Sequence, residues 1–92
     1  MNIPKKSRVR HLEVARSLLK GHSIGAVSRR FNITTNRCFD MLKAVSIEAM
    51  TRAGETTWDI SGATRLNQIL KLETTLTPQL DRLEIFWRSQ DE

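Results

Sequence analysis

The chain has 92 residues, 39% hydrophobic and 27% charged, and its 15 Lys/Arg against 10 Asp/Glu give a formal net charge of +5. That length allows one small domain, or one domain with an appendage. It contains no apolar run approaching the roughly 18 residues that a membrane span needs, and its single cysteine excludes an internal disulfide framework.

The charge is divided unevenly. Residues 1–46 hold ten Lys/Arg against two acids, a net of +8, and residues 47–92 hold five against eight, a net of −3. A polyanion should therefore meet the first half and be repelled by the second. The plainer account is that the cations only solubilise a small surface. Few Gly and Pro, no Tyr and no strand-like alternation favour an all-α fold. The basic N-terminus lacks the apolar stretch of a secretory signal. With the lone cysteine, this points to a reducing, cytoplasmic setting, on the nucleoid if the host is bacterial.

Met1 to Lys6 reads as a flexible arm, because Pro4 discourages a helix ahead of it. Ser7 is placed to N-cap a first helix from Arg8 to Lys20, whose apolar set is Val9, Leu12, Ala15, Leu18 and Leu19 with Val14 beside it. Gly21 suits the left-handed position that ends it. Ser23 can cap a second helix in which Ile24, Val27 and Phe31 share one stripe. Asn32 is the non-glycine residue best suited to a left-handed corner, and Ile33 can plug that corner. Thr34 or Thr35 then caps a third helix running towards Met50, with Cys38, Met41 and Leu42 inward and Val45, Ala49 and Met50 extending the apolar face.

The predicted core of these three helices is Leu12, Ala15, Leu19, Ile24, Val27, Phe31, Ile33, Cys38 and Leu42, with Ser28 as the small residue at a helix crossing. Residues 52–55 read as a stop and a loop, with Trp58 and Ile60 as isolated apolar residues beyond. A fourth helix is expected over 61–76. Thr77-Pro78 reads as a restart, with Thr as N-cap and Pro at the first position of a fifth helix to about Gln90. The two would pair as a hairpin. This divides the chain into a basic domain, 1–52, and a helical hairpin, 53–92. The hairpin has more apolar residues than two helices bury between themselves. Leu80, Leu83, Phe86 and Trp87 are accordingly expected either to pair with a second copy, giving a homodimer, or to pack within the monomer.

The stretch SIGAVSRRFNITTNRCFDML, residues 23–42, resembles the helix-turn-helix of transposase and resolvase/invertase DNA-binding domains. Ser23, Ile24, Val27, Ser28, Arg29, Phe31, Asn32, Ile33, Thr34 and Leu42 match its pattern. Arg37 stands where Thr is usual and Cys38 where Val or Ile is usual. With the upstream helix the resemblance covers residues 8 to 46.

It implies an N-terminal three-helix DNA-binding domain whose third helix enters the major groove of double-stranded DNA. Thr35, Asn36, Phe39, Asp40 and Lys43 would face the bases: Asn36 an adenine edge, Asp40 a cytosine amino group, Phe39 a thymine methyl unless it joins the core. Lys5, Lys6, Arg8, Arg10, Lys20, Arg29, Arg30, Thr34 and Arg37 would hold phosphates. The plainer alternative for Arg29 and Arg30 is a solvated face favoured by the helix dipole, and for the arm a solvated tail.

His11, His22 and Cys38 fit no ligand spacing, so neither a metal nor another cofactor is expected. The acids are scattered, no nucleophile–base pair is readable, and no small-molecule substrate is evident, so an enzyme is not expected. The reading is a small transcriptional regulator or accessory factor of a mobile element, phage or plasmid. Its alternatives are a DNA-recognition subunit that recruits a larger enzyme, as in phage packaging, and a protein-interaction or inhibitor module with a basic face.

Overall fold

A computed structural model describes residues 3–54 and 73–91. The elements are a 3-10 turn, Lys5–Ser7, followed by α1 (Arg8–Leu19), α2 (Ile24–Phe31), α3 (Thr35–Arg52) and α4 (Glu73–Asp91). The fold is all-α. The long α3 is the axis of the molecule and packs against α1, α2 and α4.

Local chemistry accounts for the ends of the first three helices. Ser23 Oγ accepts from the Ala26 N–H at 3.2 Å and starts α2. Asn32 ends it with φ 56° and ψ 48°, and the Ile33 N–H donates back to the Ser28 carbonyl at 3.1 Å. The Ser28 hydroxyl donates to the Ile33 carbonyl, so one small side chain pins the corner from inside. Thr34, not Thr35, caps α3: its Oγ1 accepts from the Arg37 N–H at 3.1 Å. Gly21 closes α1 with φ 102°.

α1 departs from expectation at both flanks. Ser7 occupies the N-cap position but makes no side-chain cap bond. Its carbonyl instead accepts from His11 Nδ1 at 2.8 Å. The buried face centres on His11, Val14, Ala15 and Leu18. At about 100° per residue Val9 lies on the far side of the helix from His11, and it is 69% exposed rather than part of the core. The expected arm is not loose over its described length. Ile3 is buried within the hydrophobic cluster, and the Ser7 N–H donates to the Pro4 carbonyl at 2.8 Å.

The second half requires two corrections. Thr77-Pro78 does not restart a helix, because α4 already begins at Glu73 and carries Pro78 inside it. Proline there forfeits the bond to the Thr74 carbonyl, at a cost of roughly 3 kcal/mol. Continuing the helix keeps Leu76 in line with Leu80, Leu83 and Trp87. Leu76 and Leu80 are both fully buried, and burying one leucine is worth about 1.5–3 kcal/mol, so the stripe offsets the lost bond. Glu73 to Leu76, expected in the fourth helix, thus belong to α4. Residues 61–72 of that expected helix, Trp58 and Ile60 lie outside the described residues.

Leu80, Leu83 and Trp87 pack within the monomer, the second of their two expected placements. They are buried in the same cluster as Leu12, Val14, Leu18, Val27, Leu42 and Val45. Phe86 is half-buried against that core and covered by Arg52, whose guanidinium carbon lies 3.4 Å from the ring centre. Among the described residues the two expected units therefore share one core. Arg16 clasps α1 to α4 from outside, bonding Asp81 at 2.8 Å and Glu84 at 2.7 Å, while Arg88 bonds Glu84 at 2.6 Å.

Candidate nucleic-acid interface

Two opposite faces of α3 do different work. Cys38, Met41, Leu42 and Val45 are buried. Thr35, Asn36, Arg37 and Asp40 are exposed, on the outward side of the first two turns. Of the expected base-reading set, Thr35, Asn36 and Asp40 stand free of the core. Lys43 is half-buried, and Phe39 is half-buried with its ring packed against the core. Phe39 thus takes the core part of its two expected roles.

The cations divide into those left exposed and those engaged elsewhere. Arg29 and Arg30 occupy the last turn of α2 and are exposed, as are Lys6, Lys20 and Arg37. Among the described residues none of Arg29, Arg30 or Arg37 forms an ion pair. An unpaired exposed guanidinium keeps its donors available for a phosphate. The Arg30 guanidinium lies 5.3 Å from the Phe31 ring centre, which holds its stem near the corner. Arg10 is exposed but donates to the Phe31 carbonyl at 2.8 Å, satisfying the C-terminus of α2. Thr34 keeps only its hydroxyl proton for a phosphate, since its oxygen already caps α3.

Arg8, expected to hold a phosphate, faces elsewhere. It is half-buried on the α4 side, with its guanidinium 5.1 Å from the Trp87 ring centre and bonded to Gln90 at 3.3 Å. That stacking anchors it away from the α3 ridge. Lys5 is exposed in the 3-10 turn.

Sequence reasoning missed a cleft of about 400 Å³ between the N-terminal segment and α3, bordered by Ile3, Ser7, His11, Arg37, Asp40 and Lys43. His11 is 5% exposed. Burial lowers its pKa from the ordinary 6.5, its bond to the Ser7 carbonyl pulls it part of the way back, and the nearby Arg37 charge adds a smaller lowering. It is therefore neutral near pH 7, with Nδ1 as donor to Ser7. Its spacing four residues after Ser7 and the lone apolar Ile3 in a basic arm were the available signals. Cys38 is fully buried, and that burial pushes its thiol pKa up. Among the described residues no group of His, Cys, Asp and Glu could hold a metal ion, and no helix is long and apolar enough to cross a membrane.

No protein-family model matches the chain, and no curated protein or solved structure matches it.

Proposed function

We propose that the chain is a sequence-specific double-stranded DNA-binding protein, acting in the cytoplasm as a small transcriptional regulator or as an accessory factor of a mobile element, phage or plasmid. One observation carries the reading. The start of α3 presents Thr35, Asn36, Arg37 and Asp40 to solvent, the last turn of α2 exposes Arg29 and Arg30, and none of the three arginines has an ion-pair partner among the described residues.

A helix with one core face and one polar face fits a major groove, which admits a single α-helix. Asn36 can pair with an adenine edge, and Asp40 can accept from a cytosine amino group. The arginines at the end of α2 and Arg37 take flanking phosphates, which supply most of the affinity and no sequence preference.

The test is fluorescence anisotropy of the full chain with a mixed-sequence duplex across a salt series. Affinity should fall steeply with salt, with a log–log slope of about −0.9 for each phosphate neutralised. Arg30→Ala should make that slope shallower by about one. Asn36→Ala should leave the slope unchanged and relax base preference in a selected site. Absence of duplex binding near 50 mM salt, about the lower end of the usual range, overturns the proposal.

A further inference from the structure

A second cavity lies between the first half of α1 and the end of α4, on the Arg8 side of the molecule. It has a volume of about 320 Å³. Its wall is apolar, made by Val9, Leu12 and the Trp87 ring. Val9 is 69% exposed there, although the rest of α1's large aliphatic side chains are buried.

The charged groups around the cavity are of both signs, with cations in excess. Four cations and two carboxylates line it, a net of two positive charges. Arg16 and Arg88 are already engaged with Asp81 and Glu84. Among the described residues Arg8 has no carboxylate partner: one terminal nitrogen meets the neutral Gln90 amide, and the guanidinium rests over the Trp87 ring.

Among the described residues two buried atoms at this point have no hydrogen-bond partner, Trp87 Nε1 and Arg8 Nε. Both can only donate. Trp87 is 3% exposed. Leaving a buried donor unpaired is unfavourable, and what would satisfy both is an acceptor.

We propose that this cavity binds a small organic acid, a single carboxylate on an apolar body. The apolar body lies along Val9, Leu12 and the indole. The carboxylate accepts from Arg8 and, once the flexible Arg8 stem turns aside, from the buried Trp87 N–H. The size is that of an ordinary small-molecule site, apolar with a few convergent polar groups. Nothing in this assignment depends on whether the chain binds DNA.

The experiment uses the full chain labelled with ¹⁵N. Its two tryptophans give two indole N–H signals, and Trp58→Phe identifies that of Trp87. Phenylacetate, octanoate and the neutral 2-phenylethanol are titrated separately. A saturable downfield movement of the Trp87 signal with the acids, and at least about tenfold weaker binding of the alcohol, supports the site.

Val9→Glu alters an exposed residue, so the fold is retained, and it should abolish acid binding by repulsion. Arg8→Gln should weaken it about tenfold or more. A short peptide ending in phenylalanine distinguishes a free acid from a chain terminus as the natural source, and binding of either supports the site. The proposal is overturned if no acid moves the Trp87 signal saturably below about 10 mM. Equal binding of the alcohol, or undiminished binding in Val9→Glu, overturns it as well.

Discussion

Leu83→Ala tests whether α4 is part of the same folding unit as α1 to α3. Leu83 is 1% exposed in the cluster shared by α1, α3 and α4. Truncating a leucine at such a site removes its transfer energy and leaves a cavity, together about 2–5 kcal/mol. A chain of 92 residues at roughly 0.05–0.15 kcal/mol per residue has about 5–14 kcal/mol in total. A central loss of about 3 kcal/mol is thus a large fraction of the whole. For a domain of this size it lowers Tm by roughly 12–24 °C. Thermal and urea unfolding should be followed by far-ultraviolet circular dichroism, which reports all helices, and by tryptophan fluorescence. With one core, the two probes shift together. A loss under about 1 kcal/mol, or a first transition that spares most of the helical signal, refutes the shared core and restores the two-domain division.

Three further outcomes are expected. Asn32→Gly should leave stability within about 0.5 kcal/mol, whereas Asn32→Val should cost about 1–2 kcal/mol in urea unfolding, because φ 56° forces a branched side chain into a left-handed backbone; equal stability of the two variants contradicts this. Because burial holds His11 below its ordinary pKa of 6.5, the unfolded chain binds the proton first as pH falls through that value. Stability should therefore decline from there downward until the folded side chain also titrates. His11→Gln should flatten that part of the Tm–pH curve, and an unchanged curve rejects the assignment. Asp40→Ala should alter base preference at one position of a selected duplex by about 1–3 kcal/mol, read by competition anisotropy; a uniform change across all duplexes would place Asp40 off the base edges.

Most of the first half was legible because its signals are local. Ser23, Asn32 and Thr34 act on backbone groups three to five residues away, so the cap and corner of α2 follow from residue type and spacing, and the cap of α3 is narrowed to Thr34 or Thr35. The amphipathic period likewise separates Cys38, Met41 and Leu42 from Asn36 and Asp40 without knowledge of any partner. The charge difference between the halves is a property of composition.

What only the tertiary structure decided is which competing face or signal wins once another element arrives. Val9 and His11 are assigned opposite to their hydropathy, since α1 is turned so that His11, Val14 and Leu18 face inward. Thr77-Pro78 is a sound local restart signal, yet α4 runs through it because Leu76 and Leu80 are both buried along one stripe. Leu80, Leu83 and Trp87 read equally well as a dimer seam or a monomer core from their spacing. The stacking of Arg8 on Trp87 removes it from the cations expected near phosphates. In each case a long-range burial or contact, worth as much as the local preference it opposes, settles the outcome, and a sequence read in short windows carries no record of it.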